Sequence, residues 1–536
     1  MEGPDSCFRK QAPIGRAADG WATHRQRSTH AQRTPRVTRR GGDRPIGPRG
    51  TVRDAPPMIG HDGAQSEPRD AIAPSTRGRR ATLATGPEIG DGRELTDATV
   101  QGYDDERSRA LLREAARVLP GGVNTAKRRV SPAVCPRRGQ GGWIETVDGA
   151  RLIDHHCAYG AVFLGHALPE LGGRVQQAMR EGTLFGIGVT ELEVEVARKI
   201  VEHVPSADLC LMCGSGSEAT FHAIRLARGA TGRAKVVKFQ GCYHGSHDYV
   251  ALNYLSPAER VGAPDPFSAG VLPEAIANTL VCGFNDLDDV RQTFESHPDE
   301  IAAVIVEPIA HNAASIMPAP EFLPGLRTIC DREGAVLIFD EVITGFRHAM
   351  GGYQALVGVT PDLTTLAKAL GNGVPVAALA GRHELMNRFS TTADGDVWFA
   401  GTYNGNAVGL AAALTSIETL EREPVHEHVF RLGERMRSGL RDIADEAGIP
   451  AVVSGFGSVF VLLFMDGELR TYADVLRNDA ELQVAYRRQL LARGVLEVPE
   501  NLGRSHIMYS HSDDDVDRTL EASRDSLAVV LGHQRA

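Results

Sequence analysis

The chain predicts an α/β architecture: a large domain on a mainly parallel sheet, with a smaller α+β domain contributed by both chain ends. Three observations predict it. Short apolar runs at Ala234 to Phe239, Ile301 to Val306, Val336 to Phe339 and Leu363 to Leu366 alternate with helical stretches, the pattern of parallel strands joined by crossover helices. Ahead of them, Trp143 to Asp154 reads as two strands joined at Asp148-Gly149. Behind them, a long helix from Leu410 to Glu421 leads to a strand at Ser458 to Phe464 and a closing helix at Asp513 to Leu531. The expected organisation is an extension at residues 1–95, a first small-domain segment at 96–165, the large domain at 166–407 and a second small-domain segment at 408–536.

Composition sets the class. With 536 residues, 42% hydrophobic and 24% charged, the chain has the make-up of a globular enzyme of two or three domains. No apolar run approaches the roughly 18 residues that cross a bilayer, so no membrane role is expected. The net charge of −10 is uneven: residues 1–80 hold sixteen Lys and Arg against eight Asp and Glu, which leaves the body of the chain at about −18. An acidic body gives no footing for nucleic acid. Eight cysteines without framework spacing favour reduced thiols and a cytoplasmic setting. Cys210 and Cys213 form one CxxC, but it lies in a strand-like run without a second pair, so packing rather than metal binding is expected, and no metal site is expected elsewhere.

Taken in order, residues 1–95 are rich in Arg, Gly and Pro with no hydrophobic period, and disorder is expected there. Order is expected from Asp104, where Asp104, Asp105 and Glu106 open a helix whose Leu111, Leu112, Ala115 and Val118 share a face. Pro120-Gly121-Gly122 stops it. The run Leu209 to Cys213 leads into Gly214-Ser215-Gly216-Ser217-Glu218-Ala219, which opens a helix. Such an entry lets backbone N–H groups and hydroxyls meet an anion, although it also serves as a plain helix cap. Gly241-Cys242-Tyr243-His244-Gly245 follows the next strand and holds an aromatic ring where it could stack on a flat cofactor or pack on its own domain. The runs ending at Asp340 and near Lys368 would bring a carboxylate and an amine to the carboxyl edge of the sheet. A ring-nitrogen partner and a Schiff-base lysine are the two protein groups that pyridoxal phosphate needs most. Either residue alone reads equally as a cap or a surface charge.

Together these motifs carry a resemblance. Pro120-Gly121-Gly122-Val123-Asn124, Gly216-Ser217-Glu218-Ala219, Gly241 to Gly245, Glu307-Pro308, Phe339 to Arg347, Thr360 to Thr364 and Gly401-Thr402 stand in the order found in class III pyridoxal-phosphate aminotransferases. Within that group the chain is most similar to the glutamate-1-semialdehyde 2,1-aminomutases, over residues 104–530. The resemblance implies fold type I with a seven-stranded type of sheet, pyridoxal 5'-phosphate as cofactor, Lys368 as the Schiff-base lysine and Asp340 at the pyridine nitrogen. It further implies that Tyr243 and Val342 cover the two ring faces, that Ser215, Gly216 and Ser217 hold the phosphate, and that Asn312 lies near the ring hydroxyl. Thr402 would reach the phosphate of a neighbouring subunit, so a homodimer with shared sites is implied.

The substrate side departs from the aminomutase pattern. Asn124-Thr125-Ala126-Lys127-Arg128 replaces Asn-Ser-Pro-Val-Arg, Tyr159 replaces a tryptophan, Asn253 to Pro257 replaces a Gly- and Ser-rich loop, and Leu502-Gly503-Arg504-Ser505 stands where a glutamate is expected. Arg128 and Arg504 are therefore candidates to grip a substrate carboxylate, and each could instead be a surface salt-bridge residue. Tyr159 is a further candidate contact, whereas His155 and His156 read as structural. The expected function is amino transfer from a small-molecule amino donor to a keto or aldehyde acceptor. The alternative is the intramolecular aminomutase reaction giving 5-aminolevulinate, and a non-catalytic regulator on the same fold stands further off.

Overall fold

The structure, a computed structural model, describes residues 100–391 and 395–534; the disorder expected at residues 1–95 falls outside the described residues. The N-terminal segment forms β1 (Pro136–Gln140), β2 (Trp143–Thr146) and β3 (Arg151–Asp154), paired antiparallel in that order. Gly149, at φ 93°, makes the turn between β2 and β3, a conformation costly for any other residue. The adjacent Asp148 carboxylate accepts the Arg107 N–H at 2.7 Å and the Ser108 N–H at 3.2 Å, and so caps the helix Glu106–Ala115. The apolar face expected for this helix is not its buried face. Leu111 and Val118 are exposed, the helix ends at Ala115, and Ser108 is its buried residue.

Seven strands make the central sheet: β4 (Leu209–Cys213), β5 (Lys235–Phe239), β6 (Thr279–Cys282), β7 (Ile301–Val306), β8 (Val336–Glu341), β9 (Leu363–Leu366) and β10 (Ala377–Gly381). Their order is β4-β10-β9-β8-β7-β5-β6. All contacts are parallel except those of β10, which runs antiparallel to both neighbours. Strands β7 and β8 are buried along their whole length, as strands covered on both faces must be. The two-residue period divides them cleanly. Val304, Val306, Leu337 and Phe339 pack with Phe322 and Leu326 on one face, while Ala303, Ile305, Val336 and Ile338 meet Ala219, Ala223, Ile224 and Ala227 of the helix Gly216–Thr231 on the other.

The C-terminal part supplies β11 (Val452–Ser454), β12 (Val459–Leu463), β13 (Val495–Leu496) and β14 (Ser505–His506). Strand β13 pairs in parallel with β3, so both chain ends build one four-stranded sheet, β1-β2-β3-β13. The remaining strands form the sheet β11-β12-β14. Next to these pairings His506 donates its N–H to the His155 carbonyl at 2.8 Å, and Tyr509 donates to Phe163 at 2.8 Å. The loop carrying Arg504 is thereby set beside the turn that carries Tyr159. No helix among the described residues is long and apolar enough to cross a membrane.

Candidate active site

At the carboxyl edge of the sheet β8 and β9 lie parallel, with Asp340 opposite Thr365. Their ends deliver Asp340 and, two residues beyond β9, Lys368 to one cavity of about 190 Å³. Asp340 sits in a fixed hydrogen-bond frame. Its Oδ1 accepts the Thr365 hydroxyl and the Val342 N–H, both at 3.1 Å, and its Oδ2 lies 2.7 Å from His244 Nδ1. The neighbouring Glu341 points away into the scaffold, where its buried carboxylate accepts from Thr344, Tyr353 N–H and both nitrogens of Gln354. The strand period of two thus assigns one carboxylate to the cavity and the other to the scaffold.

Lys368 adopts φ 47°, a left-handed conformation rare for a side-chain-bearing residue and typical of strained functional positions. Asn372, also left-handed at φ 44°, anchors the turn that follows. Its side-chain carbonyl accepts Phe163 N–H and Leu164 N–H at 2.8 Å, and its amide donates to the Gly165 carbonyl at 3.1 Å. Burial first, and the Arg504 guanidinium after it, push the Lys368 amine down to about 7. The carboxylates of Asp340 and Glu307 oppose that fall without cancelling it.

The helix Gly216–Thr231 starts at the cavity wall with Ser215 as its cap, the Ser215 hydroxyl accepting from Glu218 N–H at 3.2 Å. The N–H groups of Gly216 and Ser217 open the helix and have no partner in a preceding turn, which makes an anion seat. Two close approaches require glycine here. A Cβ on Gly216 would come within 2.9 Å of the Val342 side chain, and one on Gly245 (φ 107°) within 2.6 Å of the Ser217 hydroxyl. Glu307, whose carboxyl is pushed above the usual carboxylate range by its burial, accepts from both Tyr243 N–H at 2.7 Å and the Asn312 amide at 2.8 Å.

Ser215, Gly216, Ser217, Tyr243, Asn312, Asp340, Val342 and Lys368, all expected from the sequence, line this one cavity. Arg504 and Tyr159 join it through contacts: Arg504 donates to Asn312 Oδ1 at 2.9 Å and to the Tyr159 carbonyl at 3.3 Å. Arg128 and Thr402 do not line it, and both are exposed. Glu307, His244 and Thr365 were not among the expected site residues. Glu307 and His244 lie inside motifs already singled out, while Thr365 is found only by strand register. Cys210 and Cys213 lie in β4 with free thiols, and burial pushes the Cys210 thiol up to about 12. His155 is fully buried between the His506 carbonyl and the Thr519 hydroxyl, both within 3.0 Å, a packing role.

The residues fit pyridoxal phosphate. An anion seat at the helix start, a framed carboxylate, Tyr243, Val342 and a depressed lysine line one space, together with two glycines where a Cβ would collide with the Val342 or Ser217 side chain.

The chain belongs to the class III aminotransferases, whose family model, Aminotransferase class-III, matches residues 125–526. Among its relatives it is similar to a glutamate-1-semialdehyde 2,1-aminomutase of Methanopyrus kandleri, at 43% identity over 80% of this chain and all of the relative. Among solved structures it resembles an omega-transaminase from Sphaerobacter thermophilus, with 34% identity and TM-score 0.74 over 78% of this chain and 97% of that one. It also resembles a glutamate-1-semialdehyde aminomutase from Pseudomonas aeruginosa, with 27% identity and TM-score 0.72 over 79% of this chain and 94% of that one.

With its amine pushed down to about 7, Lys368 loses its proton far more readily at neutral pH than an ordinary lysine near 10.4, which stays almost wholly charged. In the cofactor-free protein, acylation of Lys368 followed by peptide mapping should rise with pH through a midpoint of about 7 and level off one to two pH units above it. Replacing Arg504 with Gln removes a nearby positive charge, so the Lys368 midpoint should move up. A Lys368 profile that climbs to pH 10 like a surface lysine contradicts this assignment.

Proposed function

We propose that this enzyme moves an amino group from a carboxylate-bearing amine to a separate keto or aldehyde acceptor. Pyridoxal phosphate, its cofactor, supplies when bound a protonated ring that takes up the electron pair left by a departing substrate proton. The Asp340 carboxylate would face the ring nitrogen, fixed there by Thr365, Val342 N–H and His244. Gly216 and Ser217 N–H and the serine hydroxyls would hold the phosphate. Lys368 Nζ, whose charged form is disfavoured by burial, accepts the substrate proton and returns it at the other carbon. Tyr243 and Val342 exclude water from the two faces of the space between them.

Arg504 carries the choice of reaction. Its hydrogen bonds go to two neutral oxygens, those of Asn312 and Tyr159, and its buried Nε has no partner among the described residues. A guanidinium in that state is ready to bind a substrate carboxylate. The aminomutase pattern expects a glutamate in this loop, whose charge is opposite. The intramolecular reading is favoured by the 43% identity to the Methanopyrus aminomutase and stands as the second reading.

The surface around Thr402 supports a homodimer as part of this reading. Phe185, Ile187, Val189, Trp398 and Tyr403 are exposed apolar side chains, and the two segments that carry them are joined by a hydrogen bond from Ala407 N–H to the Thr183 carbonyl. Such a surface belongs in an interface, and it would bring Thr402 to the partner's phosphate. The seven described cysteines are free thiols, in keeping with a reducing cytoplasm.

Sedimentation should give twice the chain mass; a monomer at micromolar concentration contradicts the shared site. The cofactor-loaded protein, given glutamate-1-semialdehyde alone, should yield no more than one equivalent of 5-aminolevulinate per site, while a carboxylate-bearing amine discharges the visible band of the cofactor. Sustained turnover of the semialdehyde would establish the aminomutase instead. Arg504→Gln should raise KM for the carboxylate-bearing amine about 10- to 100-fold, the worth of a charged hydrogen bond of about 1.5–3 kcal/mol.

A further inference from the structure

On the cavity side where Tyr243 stands, three separate chain segments meet. Tyr254, from the loop after β5, lies 5.1 Å ring to ring from Tyr243. Its phenol oxygen accepts from the Lys127 ammonium at 2.9 Å, and the same ammonium sits 4.9 Å above the Tyr254 ring. Lys127, on the short 3-10 turn Ala126–Arg128, also lies 3.7 Å from the Glu500 carboxylate in the loop that carries Arg504. A large-domain loop and both chain ends are therefore tied together by one ammonium. Its pKa is raised: burial works to lower it, and the neighbouring Tyr254 and Glu500 outweigh burial.

What this bridge spans is the space beside Tyr159. Burial pushes the Tyr159 phenol up, with the Glu500 charge adding to it, and Arg128, Tyr254 and Arg504 are also within electrostatic reach of its oxygen. A substrate with its amine at Lys368 and its carboxylate at Arg504 has its remaining substituent left to point outward. Tyr254, packed on the cavity-lining Tyr243, stands on that side of the cavity with its partner Lys127 and, beyond it, Glu500.

We infer that the Lys127–Tyr254 bridge is the size limit of the substrate site, which restricts it to amines with short substituents. Tyr254 is the wall, and Lys127 is a positioning residue that acts through it. The inference rests on the carboxylate-bearing amine proposed above as donor. Its physical basis is steric: a wall held by a charge-assisted hydrogen bond rejects added bulk, whereas the loop without that bond can move aside.

The test compares β-aminobutyrate with β-phenylalanine, which differ only in a methyl or phenyl group on the amine-bearing carbon. The readout is the rate constant for loss of the cofactor's visible absorbance in cofactor-loaded protein under single-turnover conditions. The wild type should favour β-aminobutyrate by about tenfold or more, the range that steric pockets achieve. Lys127→Ala and Tyr254→Ala should bring the ratio toward one, and Lys127→Arg, which keeps a cation, should retain the preference. The visible band of each variant before mixing reports that it is folded and loaded. A ratio unmoved in both alanine variants, or a wild-type preference for β-phenylalanine, overturns the bridge as a size limit. If neither amine discharges the wild-type band while a larger carboxylate-bearing amine does, the size limit alone falls. If no carboxylate-bearing amine does so, the donor assignment falls and the inference with it.

Discussion

Everything in this site depends on the parallel pairing of β8 with β9. Parallel neighbours end at the same edge of a sheet, so a carboxylate closing one strand and an amine just past the next must share a space. Here the pairing does more than collect them. Thr365, the residue across from Asp340, donates its hydroxyl to the Asp340 carboxylate and helps to aim it. The alternation along β8 gives Asp340 to the cavity and Glu341 to four donors in the scaffold. A one-residue slip would exchange those roles.

The charge balance follows from the same edge. The charges of Asp340 and Glu307 raise the Lys368 amine, and those of Arg504 and the buried Arg347 lower it. Arg347 is bonded only to oxygens of Ile343, Ser458 and Gly160, and its guanidinium lies 4.7 Å from the Phe163 ring, so no carboxylate among the described residues neutralises it. Desolvation and two guanidiniums therefore outweigh two carboxylates, and the lysine loses its proton near neutrality. The fold's second contribution is to return the C-terminal strands to the N-terminal hairpin, which sets Arg504 next to Tyr159 and Asn312.

Much of this is legible in the sequence, because strand ends and glycine-rich turns are local signals. The run from Ala335 to Val342 and the Gly214 to Ala219 entry announce an edge carboxylate and an anion seat without any tertiary knowledge. Residues that act across the fold are harder to read. His244 reaches Asp340 over 96 residues of chain and Tyr243 meets Glu307 over 64, distances at which periodicity carries no information. The helix Glu106–Ala115 misleads for another reason: its apolar spacing is real, but its tether is the Asp148 carboxylate, which no helical period encodes. Sequence alone points to Arg128 rather than Lys127, because it cannot say which of two adjacent cations faces inward.

The claim at the centre is that Lys368, delivered by β9, is the residue that takes the cofactor. The rival is Lys238, fully buried and pushed down to about 8, but its Nζ is committed to the Leu252 carbonyl and it does not line the cavity. Borohydride reduction of the cofactor-loaded protein, followed by peptide mapping, decides between them. The account predicts one label per chain, on Lys368. A label on Lys238, or no stable label at all, would contradict it.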